Sequence, residues 1–505
     1  MWKPVLLCFA TWVVLFQSTA SSSATENNFT ASGTFDMLVV LPYRFQPREY
    51  FSPQKFPDAS GREYPSGVLS LVLDEHPSRW FKFHSESLFD VDGTSLNTRG
   101  GVYNYDQVFQ HKLYGVKFEE AWMRADLGAL SAKIGIQKFA WGKLDALAPN
   151  DIVNPIELYN PFLSGLSGIR DSEVGIPAAQ IGYYVSNSSN RYMPSESSFD
   201  GIWIPMYVPT RLSFLGERWF PSTLQANNVV EVNGMPVGVS VGLDNANPPA
   251  RRLEHPSVGL KMGNTWEGLD LDFYYYYGYQ TGFRTDAEAA IVPIASVPPG
   301  FNVQVATTLR PMFRRLQSFG SAAATTVGPF GLRAEVAFLK NQLFSRDLVK
   351  EVTVPSLVDE LLLSIGSLER GGRRVPVQLP PLEVASDTVR SGASIDWTIL
   401  KTVFIAQVNQ TNILHPSRNL VTPPSETRAL LTVRRSFLDN DLQLTVSGLY
   451  SIQGGDSFLE PTLQYRWNDH LSLTVGNLFI AGPRGTFLGE FKDNKEVFLR
   501  LRTSF

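Results

Sequence analysis

The chain has 505 residues, a net charge of −4 and 18% charged residues, below the roughly 25% of ordinary soluble domains. Aromatic residues reach 12%, and a mean hydropathy of −0.08 excludes a protein built from membrane-spanning helices. The single cysteine excludes a disulfide framework.

From the N-terminus, Lys3 precedes an apolar run from Val5 to Phe16, followed by small residues at Ser18-Thr19-Ala20 and Ser22-Ser23-Ala24. This order is that of a secretory signal peptide over residues 1–24, with cleavage after Ala20 or Ala24. Cys8 lies inside the apolar run, so residues 25–505 carry no thiol.

The mature part reads as strands that alternate apolar and polar side chains. Ala121, Met123, Ala125 and Leu127 oppose Glu120, Trp122, Arg124 and Asp126. After a turn at Gly128-Ala129, Leu130, Ala132, Ile134 and Ile136 oppose Ser131, Lys133, Gly135 and Gln137. Leu269, Leu271, Phe273, Tyr275 and Tyr277 oppose Asp270, Asp272, Tyr274 and Tyr276. Further on, Leu332, Ala334, Val336 and Phe338 oppose Arg333 and Glu335, and Ile395, Trp397 and Ile399 oppose Ser394, Asp396 and Thr398. Short turns at 128–129, 267–268, 400–401, 439–440 and 468–469 alternate with longer stretches near 142–177, 209–255, 280–302, 341–388, 413–425 and 481–494. This is the loop sorting of a transmembrane barrel, with turns on the periplasmic side and loops outside.

The expected fold is therefore an all-β, antiparallel up-and-down barrel over residues 25–505. It would have about eighteen strands, with sixteen left open by the uncertain first strand. Val497, Leu499, Leu501, Thr503 and the terminal Phe505 form one face of the last strand, like the mark that outer-membrane barrels present to their insertion machinery. Trp203, Trp266, Phe437, Tyr465, Trp467 and Phe479 sit where interfacial girdles belong. The expected location is the outer membrane of a Gram-negative cell, with lipid as the surrounding partner and no nucleic acid.

Trp141 and Gly142 close the strand that begins near Gly135, and Asp151, Ile152, Val153, Asn154 and Pro155 follow closely. With Trp203-Ile204-Pro205 and the stretches after it, these motifs over 135–221 resemble a large family of Gram-negative outer-membrane barrels of unknown function. That family is broadly similar to alginate-export-type porins, and here Ile152 replaces its first Val. The resemblance implies membrane and transport-like roles without naming cargo. Turn formers at Asn154-Pro155 and Asn160-Pro161 make 143–175 a compact loop, either a constriction or lid in the barrel mouth or a brace outside it. A second long outer loop spans 342–388, and Leu357–Ile365 within it has helical spacing and an apolar face.

If the facing holds, the lumen is lined by Glu120, Arg124, Asp126, Lys133, Asp270, Asp272, Arg310, Arg333, Glu335, Arg428, Arg434, Arg466, Arg500 and Arg502. Lys82, Lys261, Arg314, Glu86, Asp396 and Glu460 join them, and Trp80, Trp122, Tyr274 and Tyr276 add stacking surfaces. The cations concentrate in the last strands, which favours anions unless neighbouring carboxylates neutralise them. The six histidines lack metal-ligand spacing, so neither a metal nor another cofactor is expected. Gly238-Val239-Ser240-Val241-Gly242 matches a nucleophile elbow in letters, but Leu243-Asp244-Asn245-Ala246-Asn247-Pro248-Pro249 after it reads as a loop instead of the required helix, which makes it a chance match within a short strand. The sequence thus points to a non-enzymatic, porin-like channel for small, anionic or amphiphilic solutes. The alternative is a plugged barrel that serves as a surface scaffold or adhesion platform.

Overall fold

The computed structural model describes residues 29–42, 64–92, 107–111, 114–158, 172–186, 193–208, 210–212, 228–232, 235–243, 256–282, 285–293, 303–311, 313–346, 375–377, 381, 383–483 and 485–505. The signal segment at 1–24 and the helical spacing at 357–365 lie outside them.

Eighteen antiparallel strands close into one up-and-down barrel. The first nine are β1 (Phe29–Pro42), β2 (Tyr64–Ser78), β3 (Phe81–Asp92), β4 (Tyr114–Leu127), β5 (Leu130–Gln137), β6 (Ile176–Ser186), β7 (Glu196–Ile204), β8 (Ser257–Trp266) and β9 (Leu269–Tyr279). The second nine are β10 (Arg315–Val327), β11 (Phe330–Ser345), β12 (Glu383–Ile399), β13 (Thr402–Leu414), β14 (Ser425–Phe437), β15 (Leu442–Ser451), β16 (Ser457–Asn468), β17 (Leu471–Ala481) and β18 (Glu496–Ser504). Each strand pairs with the next, and β1 pairs with β18 from Thr34↔Ser504 to Pro42↔Glu496. Closure leaves no unpaired edge, the condition for β-structure in lipid. The seam runs to the last residue, where the Gly33 N–H donates to the Phe505 carbonyl at 2.9 Å and the Phe505 N–H donates back at 3.0 Å.

Side chains on a strand point alternately to its two faces, so register fixes which residues meet inside. The outward set carries Met123, Ile134, Ile181, Leu260, Phe273, Phe319, Val336, Val408, Leu431, Leu459, Val475 and Leu499, all exposed. Large apolar residues in continuous exposure form a belt around the wall. Trp203 and Phe479 lie toward its loop end, and Phe437, Tyr465 and Trp467 toward its turn end, all five exposed.

The connections sort by length, apart from the nine residues 187–195 at the short end and the five residues 452–456 at the long end. Residues 79–80, 128–129, 187–195, 267–268, 328–329, 400–401, 438–441 and 469–470 join strands at one end, and every other connection lies at the opposite end. Three of the long ones, 205–256, 280–314 and 346–382, contribute strands to a separate five-stranded sheet. Its order is Asn228–Val232, Met235–Leu243, Val303–Pro311, Thr285–Pro293 and Val375–Val377. Among the described residues the only helical turns are the 3₁₀ segments Leu438–Asn440 and Gly489–Phe491.

Three placements differ from the sequence reading. Arg310 belongs to Val303–Pro311 in the loop sheet, not to the barrel wall. That strand alternates as a wall strand does but pairs in parallel with Met235–Leu243, a partner that local pattern does not reveal. Arg314 is exposed and precedes β10. Trp80 is exposed in the tight turn between β2 and β3, so it presents no lumenal stacking surface. Ser240 lies within Met235–Leu243, opposite Ala306, and the strand continues past it.

Candidate functional site

After Gln137 the chain leaves β5 and turns into the barrel. The root is held at a β-bulge on β4, where the register with β3 steps from Glu86↔Glu120 to Ser87↔Phe118 and leaves Glu119 as the extra residue. The bulge brings two adjacent carboxylates to bear on one residue. Glu120 accepts the Lys138 N–H at 2.8 Å, while Glu119 pairs with the Lys138 ammonium at 2.7 Å and with Lys117 at 2.8 Å.

The middle of the segment sits on β9–β12. The Glu335 carboxylate, 4% exposed, accepts the N–H of Lys143, the N–H of Leu144 at 2.7 Å and the Asn150 carboxamide at 3.0 Å. A longer contact of 3.4 Å comes from the Asn150 N–H. Backbone N–H groups in a loop have no ladder partners, so one ionised acceptor serving several of them is an efficient anchor. Arg333 bridges the Lys143 carbonyl at 3.2 Å, Asp145 at 2.8 Å and Asp396 at 2.6 Å. Lys143 reaches Asp272 at 3.2 Å, and the Gly142 N–H donates to the Tyr274 hydroxyl at 3.2 Å.

The tip reaches the far wall. Gln407 and Asn409 on β13 both donate to the Ala146 carbonyl, and Asn409 donates to Leu147 O at 2.8 Å. Ala146 then joins an apolar cluster with Leu430, Leu449, Phe458, Leu478, Ile480, Leu488 and Phe491, with Leu147 packed against it. A second cluster packs Phe139, Trp141 and Val153 against Ile176, Ile202, Tyr274, Tyr276 and Leu339.

The wall is shaped to receive the segment by small inward residues. A Cβ added at Gly320 would lie 1.7 Å from Asn150 Oδ1, at Gly392 2.5 Å from Leu144, and at Gly259 2.6 Å from Trp141. Ala322 and Ala337 continue the same floor and are buried. The motif residues build the segment's own frame. Trp141 is buried against Tyr274, their ring centroids 5.5 Å apart. Gly142 has φ +100°, and a Cβ there would meet the Glu335 carboxylate at 2.9 Å. Asn154 accepts the Phe139 N–H at 2.8 Å and donates to Val174 O at 2.9 Å, tying both limbs together. Pro155 O accepts the Val174 N–H at 2.8 Å, and Asp151 N–H donates to Ala148 O at 3.1 Å.

The predicted lumenal charges fall into three groups. Glu120, Asp272, Arg333 and Glu335 hold the segment, as described above. Others are paired along the wall: Arg124 with Asp126 at 2.7 Å, Arg428 with Glu426 at 2.9 Å and Arg502 with Asp36 at 2.7 Å. Lys261 stands 3.6 Å from Asp272. A third group lies toward the turn end. Among the described residues no carboxylate stands within ion-pair distance of Lys82 or Arg434, and the Arg466 guanidinium donates to Asn440 O at 3.3 Å. Outside these groups, Asp270 at the turn end faces Thr265 and Ala324, Arg500 in mid-strand faces Leu38 and Thr474, and buried Glu460 toward the loop end of β16 faces Ser447. Trp122 is inward but already engaged, with His84 stacked at 4.9 Å and the Lys133 ammonium 4.2 Å from its centroid. Gln407, Asn409 and the small inward residues escaped the sequence reading. The available signal was glycine recurring on the polar face of wall strands.

Comparison with known proteins returns solved outer-membrane structures, all at low similarity. Acinetobacter baumannii OccAB1 aligns with a TM-score of 0.46 at 7% identity, covering 96% of this chain and 99% of that one. A BenF-like porin from Pseudomonas fluorescens Pf-5 aligns with a TM-score of 0.46 at 9% identity, covering 94% and 98%. Pseudomonas aeruginosa OccK5 (OpdH) gives 0.43 at 10% identity, covering 96% and 99%. No family model and no curated protein sequence matches the chain, so the likeness of 135–221 to the alginate-export-type barrels stands as a resemblance.

Proposed function

We propose that the protein is a porin-like channel of a Gram-negative outer membrane that passes small solutes through a lumen narrowed by residues 138–158. The observation that carries the reading is the inserted segment, fixed at root, middle and tip to the inner wall of a closed barrel. A barrel of this strand number is wider than its own side chains can fill, and a bound loop leaves a restricted passage. The exposed apolar belt and the aromatic residues at both of its ends support a lipid-embedded wall, and Phe505 would serve as the mark read by the insertion machinery. Arg434 and Arg466, with no carboxylate within ion-pair distance among the described residues, support a preference for anionic or amphiphilic solutes at the turn-end mouth, whereas Lys82 is offset by Asp126. The pairing of Arg428 and Arg502 makes that preference milder than a count of arginines suggests.

The test is solute entry into liposomes carrying the purified barrel. Swelling in small sugars and organic anions, faster for the anions and slowed toward the neutral rate by Arg434→Gln, is the expected result. Liposomes that stay closed to every solute would defeat the channel. A second reading is favoured by the five-stranded sheet, which three long connections assemble at the loop end and which could serve as a docking platform. Under that reading, deletion of 346–382 abolishes surface binding and leaves permeability unchanged.

A further inference from the structure

We infer that the passage is eccentric, running along the inner faces of β1–β3 and not along the barrel axis. The inference rests on the channel reading and adds where the route lies. The hydrogen bonds and packing that seat 138–158 start at β4 and extend through β17, centred on Glu335 of β11. In a ring of eighteen strands, β11 and β2 are nine apart and therefore diametrically opposite.

The inner faces of these two sectors differ as seat and path should. Under the segment the wall is sealed: Ser318, Ala322, Glu335, Ala337 and Gln407 are all buried. Opposite, Ser70, Val72, Asp74, His84 and Glu86 keep part of their surface accessible. Their polar atoms are tied to each other across the strands. His84 Nδ1 lies 2.8 Å from Asp74, and Ser70 donates weakly to Glu86 at 3.4 Å. Glycine and alanine make room for a loop, whereas medium-sized polar residues facing water offer hydrogen bonds to a passing solute.

The test uses single cysteines in a Cys8→Ser background, which removes the only native thiol. Ser70→Cys and Val72→Cys place a thiol on the β2 path, and Ser318→Cys places one beneath the segment. Single channels in planar bilayers are exposed to a bulky, charged methanethiosulfonate. Stepwise loss of at least half the conductance from Ser70→Cys or Val72→Cys, with none from Ser318→Cys, is the expected result. Block from Ser318→Cys with both β2 positions silent would overturn the route while leaving a working channel. Should Ser70→Cys fail to insert, Val72→Cys supplies the same reading. Absence of any open level before reagent would remove the channel and the route together.

Discussion

Glu335 is the point at which the inserted segment is most vulnerable. Replacing it with alanine removes the acceptor for the Lys143 and Leu144 N–H groups and for the Asn150 carboxamide, the Leu144 bond being 2.7 Å and the Asn150 bond 3.0 Å. Hydrogen bonds to a charged partner contribute about 1.5–3 kcal/mol each, so losing the two best weakens the seat by about 3–6 kcal/mol. Each 1.4 kcal/mol is tenfold in population, which shifts the seated-to-released ratio by about two to four orders of magnitude. Glu335→Gln should fall between, because its Oε1 still accepts one N–H while its amino group opposes the Asn150 donors. Single-channel recording is the assay. Glu335→Ala should show a larger mean conductance, or flicker between two levels, in a barrel that still shifts on a gel when boiled. An intact Glu335→Ala barrel with wild-type conductance and wild-type noise would refute the anchoring argument.

Four further outcomes follow from the same geometry. Gly320→Ala should loosen the segment as Glu335→Ala does, read as the same rise in mean conductance or flicker, because its Cβ would meet Asn150 Oδ1 at 1.7 Å. Leu431→Arg, on the outward face near the middle of β14, should destabilise the barrel by about 2–4 kcal/mol in reversible folding into lipid vesicles, whereas Arg434→Leu should not. Gly33→Val should impair closure, since the Phe505 ring lies 2.6 Å from the position of an added Cβ, and the fraction of heat-modifiable protein reports it. Arg502→Met should cost no more than about 1 kcal/mol in the same folding assay, because its pair with Asp36 is partly exposed at the turn-end rim.

The barrel was legible because its rule is local. Period-two alternation at Glu120–Leu127 and Leu269–Tyr277 sets each strand's facing without knowledge of its neighbours, and turn pairs such as Gly128-Ala129 mark the hairpins. Arg310 was misplaced for the same reason, since Val303–Pro311 alternates equally well in a sheet outside the wall. Loop 143–175 stood as a constriction, lid or brace on its turn formers alone, and residues 143, 144, 146, 147 and 150 hydrogen-bond to inward side chains of the wall. Its partners were not legible, because Glu335 and Asn150 are 185 residues apart and nothing in a strand pattern distinguishes a carboxylate facing water from one facing a loop. Gln407 and Asn409 look like ordinary polar wall residues until the Ala146 carbonyl arrives above them.

The central claim is that a closed barrel with a seated segment still conducts. Single-channel recording of the purified, heat-modifiable protein in planar bilayers tests it most directly. Discrete open levels, raised by Glu335→Ala, are the predicted result. A correctly folded barrel that gives no open level, with Glu335 intact or replaced, would contradict it.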